Sequence, residues 1–266
     1  MNQPLFLGII GNPIGHSLSP LIHNRWLGKT GRGGIYLPFK IPPARLKAFV
    51  RKARRQKMDG FNVTIPHKET ILPLMNSVSR EAKAIGAVNT VIRKGKNLTG
   101  ENTDWQGYLA AYHSRFKKPL AGKTVVVLGA GGSSRAILYA LCREKVGLVI
   151  VANRTVAKAE KLVGAFNPLF PKIPKKALPL KLSLLKPFLK RCDLLINTTS
   201  VGLNATRFHP SPIPLLSRKA IVSDLVYNPL LTPLLKEARK RGHPILPGLP
   251  MLIYQAAFSF RLWCKT

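Results

Sequence analysis

Residues 129–135, Gly129-Ala-Gly-Gly-Ser-Ser-Arg135, follow the apolar run Lys123-Thr-Val-Val-Val-Leu128 and lead into a helical pattern. A buried strand that passes through a glycine turn into a helix is where a nucleotide-binding domain seats a pyrophosphate. The glycines let the backbone approach closely, and the helix N-terminus offers unpaired N–H groups with positive partial charge. Gly129, Ala130, Gly131 and Gly132 are candidates for that turn, with Ser133, Ser134 and Arg135 for bonds to the phosphates. A second apolar run, Gly147-Leu-Val-Ile-Val151, ends at Asn153-Arg154-Thr155. An NAD site places Asp or Glu near that offset to accept from the ribose hydroxyls, whereas Arg154 suits a 2′-phosphate. The expected cofactor is NADP, with Asn153, Arg154, Thr155 and Lys158 around the 2′-phosphate. A glycine turn alone also occurs in ordinary loops, and Lys158 alone reads as a solvated helix charge. The flanking strands and the arginine make the pattern specific.

The alternation of strand and helix extends in both directions from this turn. Downstream, strands are expected at 193–197 and 220–224 and helices near 133–144, 155–165 and 230–241; residues 167–182, rich in Pro and Lys, read as a loop with a short strand. Upstream, Leu5–Ile10, Ile35–Phe39, Phe61–Ile65 and Ala87–Arg93 read as strands, the last turning at Lys94-Gly95-Lys96. Helices are expected over Ser19–Lys29, where Pro20 suits the first turn, over the amphipathic Pro43–Lys57, over Lys68–Met75, over Trp105–Phe116, and over the apolar tail Met251–Trp263. Apolar strands interleaved with helices imply mostly parallel sheets covered on both faces. The fold class is α/β: an N-terminal substrate domain of residues 1–103, completed by a helix at 248–266, and a Rossmann-type domain of residues 104–247. A cleft between them, at the carboxyl ends of the strands, is where ligands are expected.

The chain has 266 residues, 45% of them apolar, enough for two modest cores. No apolar run reaches the roughly 18–20 residues that span a bilayer, and the N-terminus lacks the basic start of a signal peptide. Cys142, Cys192 and Cys264 are odd in number and widely spaced, with no CxxC. They read as reduced bystanders in a cytoplasmic protein, with no metal site. The charge is the anomaly: 43 Lys and Arg against 10 acids give a formal net charge of +33. Such an excess attracts polyanions without sequence preference. The cations are spread through Lys47–Arg55, Lys172–Lys181 and Lys236–Arg241, with no zinc finger, RNA-recognition signature or interleaved aromatic stripe. A solvated basic surface on an enzyme is the favoured reading.

Nine motifs in order carry a resemblance: Gly11-Asn-Pro-Ile-Gly-His-Ser-Leu-Ser-Pro20, Asn62-Val-Thr-Ile-Pro-His-Lys68, Gly86-Ala-Val-Asn-Thr90, Asn102-Thr-Asp104, the Gly129 loop, Asn153-Arg-Thr155, Asn197-Thr-Thr-Ser-Val-Gly202, Asp224-Leu-Val-Tyr-Asn-Pro229 and Gly248-Leu-Pro-Met-Leu-Ile-Tyr-Gln255. From about residue 8 to the C-terminus the chain resembles the shikimate dehydrogenase family. The resemblance implies NADPH-dependent reduction of 3-dehydroshikimate to shikimate, in aromatic amino-acid biosynthesis. It also implies that Lys68 and Asp104 form the catalytic pair. Their chemistry agrees, because hydride reduction of a ketone leaves an alkoxide that an ammonium can stabilise and protonate while a carboxylate orients it. Without the resemblance, a surface salt bridge is equally good.

A small polyhydroxylated ring with a carboxylate needs hydroxyl and amide partners. Ser17 and Ser19, just before a helix, suit the carboxylate, although Ser19 ahead of Pro20 also suits a simple N-cap. Asn62, Thr64, Asn89 and Gln255 supply donors and acceptors for ring hydroxyls, and Tyr227 adds a phenol or merely packs. Thr198, Ser200, Val201 and Leu225, with Gly248 and Met251, are placed beside the ribose and nicotinamide. Trp105, Pro247, Pro250, Phe258 and Ser259 depart from the residues common in the family at those positions.

Three rival readings remain open. One is the same fold acting on quinate, possibly with NAD, against which Arg154, Lys158 and the paired serines weigh. Another is a basic nucleic-acid-binding scaffold, which would be expected to have lost Lys68 or Asp104. A variant inactivated by its charge changes is a third. The expected partner is a small-molecule substrate, and the assembly a monomer or homodimer.

Overall fold

A computed structural model describes residues 3–264, so the outer ends of the expected ranges 1–103 and 248–266 lie outside the described residues. The chain forms two compact units. One holds the chain up to Gly107 and again from Ile253; the other is Tyr108–Leu252. The divisions fall inside helices, a few residues after the positions at which the sequence pattern changes.

The first unit contains β1 (Leu5–Gly11), α1 (Ser19–Lys29), β2 (Gly34–Lys40), α2 (Leu46–Arg55), β3 (Gly60–Val63), β4 (Ser77–Val78), α3 (Arg80–Ile85), β5 (Thr90–Lys94) and β6 (Asn97–Glu101), and the start of α4 (Asp104–Phe116). Its strands lie in the order β2-β1-β3-β5-β6-β4. β1 pairs parallel with β2 and β3, whereas β5 runs antiparallel to both β3 and β6. The carboxyl ends of β1, β3 and β6 and the amino end of β5 therefore share one end of the sheet. One core packs Phe49, Val50 and Ala53 of α2 against Ile10, Phe61 and Val91. Another gathers Leu27, Tyr36, Phe260 and Trp263 over Leu5, Leu7 and Ile9.

The second unit contains β7 (Thr124–Leu128), α5 (Gly132–Arg143), β8 (Leu148–Asn153), α6 (Val156–Phe166), β9 (Lys175–Pro179), α7 (Leu182–Leu189), β10 (Leu194–Asn197), β11 (Val201–Asn204), β12 (Ile221–Asp224), α8 (Pro233–Lys240) and β13 (Ile245–Leu246). Helix α9 (Gly248–Cys264) begins here and ends in the first unit. The sheet order β13-β12-β10-β7-β8-β9, with all pairs parallel, reverses direction at β7. That is the doubly wound arrangement whose switch point lies beside the first strand's glycine turn.

Several elements differ from the sequence reading. Lys68–Met75 is not a helix: Pro66 and Pro73 remove donors at either side, and only a 3-10 turn forms at Leu72–Leu74. Lys68 thus sits on a tight turn after β3. The expected helix over Pro43–Lys57 begins as a 3-10 turn at Pro43–Arg45 and is α-helical only over Leu46–Arg55. Helix α3 is too short for periodicity to reveal it, but it is bounded by Ser79, whose side chain accepts from Ala82 N, and by Gly86 in the left-handed region (φ 71). Past the stretch 167–182 read as a loop with a short strand, where β9 forms, α7 appears in spite of Pro187, with Leu185 and Leu189 buried.

Candidate active site

Lys68 and Asp104 meet at the shared end of the first sheet. The Lys68 turn follows β3, and Asp104 follows β6 as the first residue of α4, where the helix N-terminus favours a carboxylate. Lys68 Nζ donates to Asp104 Oδ2 at 2.6 Å, and the two side chains are 12% and 6% exposed. Asp104 Oδ1 accepts from Asn89 Nδ2 at 2.8 Å, and its backbone N–H donates to Asn102 Oδ1 at 3.1 Å. Asn102 is itself anchored to Ala87 O at 2.9 Å. The acid is held on three sides before any ligand arrives. A paired, largely desolvated ammonium with a fixed carboxylate behind it can place a proton on a developing alkoxide.

The other expected substrate residues divide by their surroundings. Gln255 is buried, and its Oε1 accepts from Asn89 Nδ2 at 3.3 Å, so both amides stand at the acid pair. Thr64 is half-buried at the end of β3; a Cβ at Gly11 would come within 2.5 Å of Thr64 Cγ2, so glycine at 11 makes room for this threonine. Ser17 and Ser19 flank Leu18, the N-cap of α1, which makes no side-chain cap bond. Ser17 Oγ accepts instead from Ser19 N at 3.3 Å. Ser17 rather than Ser19 therefore serves the helix start, through the N–H of its first residue.

Asn62 was expected to touch ring hydroxyls, but its side chain is used inside the fold. Its Oδ1 accepts from Tyr36 OH at 2.7 Å, and its Nδ2 faces Asn89 O, Thr90 Oγ1 and Ser259 Oγ, each at 3.1 Å. Tyr36 in turn stacks on the buried ring of His23, with centroids 4.4 Å apart. Burial holds that imidazole neutral, lowering it to about 3 against a smaller opposing effect of Asn62. Thr90, Thr103 and Ser259, which the sequence reading left out of the site, complete the hydroxyl cluster behind Asn89. Tyr227 is half-buried and lies in the second unit, as do all the expected cofactor residues.

In the second unit the glycine turn has the expected shape. Gly129 has φ 110, and a Cβ there would come within 2.5 Å of Thr198 Oγ1, so only glycine closes the turn against β10. Gly131 has open space where a Cβ would stand, and no side chain caps α5 at that residue. Ser134 departs from its expected role as a phosphate ligand. It is fully buried, its hydroxyl accepts from Gly131 N at 3.1 Å and meets Thr198 Oγ1 at 2.6 Å, and Thr198 donates to Leu128 O at 2.7 Å. These two hydroxyls brace the loop from behind. Ala130, Gly132, Ser133 and Arg135 continue the turn into the first residues of α5.

Arg154, Thr155 and Lys158 are exposed at the end of β8 and the start of α6, and Asn153 Nδ2 holds that turn through Thr155 O at 2.8 Å. Neither Arg154 nor Lys158 forms an ion pair with an acid among the described residues. An open glycine turn, an uncapped helix start and two unneutralised cations fit a dinucleotide that carries an extra phosphate. Ser200 is exposed after β10, with Val201 half-buried; Leu225 is half-buried after β12; Gly248 and Met251 lie buried in the first turn of α9.

Asp224, at the end of β12, is fully buried and forms no ion pair among the described residues. It accepts from Asn197 Nδ2 at 2.9 Å, Val226 N at 3.0 Å and Thr232 Oγ1 at 2.7 Å. Burial pushes it up to about 6 even so. The carboxylate ties the ends of two strands to the cap of α8. Cys142 and Cys192 are buried thiols pushed up to about 12, which makes them inert. Among the described residues there is no group of metal-ligating side chains, and no helix is long and apolar enough to cross a membrane.

Comparison with known proteins places these features in context. Residues 9–91 match the shikimate dehydrogenase substrate binding domain, and residues 111–207 match shikimate / quinate 5-dehydrogenase. A curated shikimate dehydrogenase (NADP(+)) from Halothermothrix orenii is 42% identical over 265 residues, covering 98% of this chain and 91% of the relative. Shikimate dehydrogenase from Aquifex aeolicus superposes with a TM-score of 0.88 at 37% identity, over 99% of this chain and 93% of that one. The Thermus thermophilus shikimate 5-dehydrogenase, solved with NADP(H) and shikimate, superposes at 0.85 with 37% identity, over 98% and 94%.

Proposed function

Because the chain belongs to the shikimate dehydrogenase family, we propose that Lys68 and Asp104 are the groups with which it interconverts 3-dehydroshikimate and shikimate. The protein is an NADP-dependent oxidoreductase of aromatic biosynthesis. NADPH, when bound, supplies the hydride. Everything else is the work of this chain's side chains. Lys68 donates to the ketone oxygen, stabilises the charge that develops there and delivers the proton; Asp104 keeps the lysine aimed. Asn89 and Gln255 bind ring hydroxyls from the same end of the sheet, Thr64 borders them, and Ser17 and Ser19 bind the carboxylate. The observation that carries this reading is the Lys68–Asp104 contact of 2.6 Å, buried beside two amides.

On the cofactor side, the Gly129–Gly132 turn and the start of α5 take the pyrophosphate, with Ser133 and Arg135. Arg154 and Lys158 take the 2′-phosphate, helped by Asn153 and Thr155. Ser200, Val201, Leu225, Gly248 and Met251 border the ribose and nicotinamide, and Tyr227 serves the substrate. In this reading the unit that ends at Gly107 and resumes at Ile253 is the substrate and catalytic unit, and Tyr108–Leu252 is the NADP unit. The work is cytoplasmic, by a monomer or homodimer, and the charge of +33 adds non-specific polyanion binding without a nucleic-acid function. The test is shikimate-dependent reduction of NADP+, followed by the absorbance of the reduced nicotinamide, against quinate and against NAD+. Preference for shikimate and NADP+ supports the reading; a preference for quinate with NAD+ overturns it.

A further inference from the structure

We propose that Thr90 is a positioning residue: its hydroxyl, held by Asn62, locks the side-chain amide of Asn89 with its NH2 edge on Asp104. The proposal rests on the assignment of Lys68 and Asp104 as the catalytic pair and adds what sets their geometry.

The direction of each hydrogen bond follows from groups that have only one role. The Asn89 carbonyl can only accept, so the edge of Asn62 that faces it at 3.1 Å is the NH2 edge. Asn62 Oδ1 then faces the Tyr36 hydroxyl, which must donate across 2.7 Å. The same Asn62 NH2 points at Thr90 Oγ1 at 3.1 Å, so Thr90 accepts there and its own proton is left for another partner. Asn89 Oδ1, at 3.0 Å, shares it with Ser259 Oγ, at 2.7 Å, because the Ser259 proton itself faces Gln255 O, which can only accept, at 3.0 Å. The backbone N–H of Thr103, a pure donor at 2.7 Å, points at that same oxygen. With two donors on its oxygen edge, the Asn89 amide has one stable orientation, and its NH2 edge lies 2.8 Å from Asp104 Oδ1. Asp104 Oδ2 is left for Lys68.

The chain thus runs from Tyr36 through Asn62 and Thr90 to Asn89 and Asp104, with a branch from Thr90 through Ser259 to Gln255 O. Every member except Lys68 is at most 4% exposed, so water does not compete for these bonds. Ser259 supports the middle of the chain from α9, with its hydroxyl 2.7 Å from Thr90 Oγ1 and 3.1 Å from Asn62 Nδ2. An amide is nearly symmetric in shape, so packing alone does not choose between its two orientations. In the reversed one, Oδ1 would face the carboxylate and repel it. The hydroxyl of Thr90 opposes that reversal from the far side, without touching substrate or Lys68.

Thr90→Val keeps the shape and removes the hydroxyl, and Thr90→Ser keeps the hydroxyl. The first readout is the side-chain amide NMR signal of Asn89 in the ligand-free protein, identified by its loss in Asn89→Ser. Thr90→Val should move and broaden that signal, and Thr90→Ser should leave it in place. The second readout is steady-state kinetics. Thr90→Val should lower kcat roughly tenfold, the worth of about one buried hydrogen bond, with KM for NADP+ within about twofold. Thr90→Ser should restore most of the loss. Tyr36→Phe reads the same chain from its other end if Thr90→Val does not fold, and should move the Asn89 signal in the same direction. An unmoved Asn89 signal in a folded Thr90→Val or Tyr36→Phe protein overturns the proposal, as does equal loss of turnover in the Val and Ser variants. Absence of shikimate turnover in the unaltered protein would instead sink the assignment of function, and the amide signal would still decide the role of Thr90.

Discussion

The ammonium of Lys68 and the carboxylate of Asp104 are in contact within the first unit alone, through groups that come from the turn after β3 and the first residue of α4. The pair therefore depends on one sheet and its end loops. Breaking a buried pair from one side strands the other charge, so single substitutions act on chemistry and on local order together.

Lys68→Ala and Asp104→Asn should each lower kcat by roughly 10²–10⁴-fold, the usual span for positioned proton-transfer groups. Circular dichroism should show the fold retained, because neither side chain belongs to a hydrophobic core. Turnover near that of the unaltered protein in both variants would remove the pair from the mechanism.

Arg154→Asp should shift preference from NADP+ toward NAD+, since a ribose acceptor replaces a phosphate partner on an exposed turn. The quantity to compare is the ratio of kcat/KM for the two cofactors. If it does not move, the 2′-phosphate is carried by Lys158 or lies elsewhere.

Ser17→Ala and Ser19→Ala should each raise KM for shikimate roughly tenfold, the loss of one hydrogen bond to a charged group, with little change for NADP+. Ser17 Oγ also accepts from the first residue of α1, so Ser17→Ala should lower stability by about 1 kcal/mol. Equal damage to both constants would count against carboxylate binding.

Asp224 gives a prediction with a sign. Its folded-state value of about 6 lies above the ordinary 3.8, so the folded protein binds the proton more tightly than the unfolded chain. Its contribution to stability is complete below the lower value and is lost as pH rises through the higher one. About two pH units correspond to roughly 3 kcal/mol. Asp224→Asn removes this dependence, so its unfolding free energy relative to the unaltered protein should be higher at about pH 7 than at about pH 4. Urea unfolding at the two pH values measures it, and parallel curves would count against a carboxylate strained by burial.

The readable parts of this chain were those with chemical punctuation. Runs of Val, Leu and Ile gave the parallel strands, and glycine with a following arginine gave the nucleotide turn. The β5–β6 hairpin was half visible: its turn at Gly95, with φ 60, was legible, but the return strand Asn97–Glu101 has too few apolar residues to stand out. Helix α7 was hidden by Pro187.

In the site, Lys68, Asp104, Asn89 and Gln255 were legible as polar residues within motifs. Their supports were not. Thr90 and Ser259 are 169 positions apart, and Asn62 and Ser259 are 197 apart, yet their side chains touch. Small hydroxyls carry no periodic signature, and only folding shows which of them share a proton. Asn62 and Ser134 were misplaced for the same reason: a polar residue beside a site looks like a ligand until its partners are known.

Helix α9 has a consequence for how the molecule is made. Gln255, Ser259 and Trp263 belong to a unit whose other residues come from the start of the chain; Trp263 is fully buried and donates to Val91 O at 2.9 Å. On the ribosome, the early strands emerge first and must wait, with one flank of their core open, until α9 has been synthesised. The Tyr108–Leu252 unit is contiguous and has no such wait. The order of birth and the order of completion are therefore reversed. A chain cut short within α9 would carry a complete Tyr108–Leu252 unit and a first unit without Gln255, Ser259 and Trp263, so the fate of the early strands is decided by the part of the helix made after Leu252.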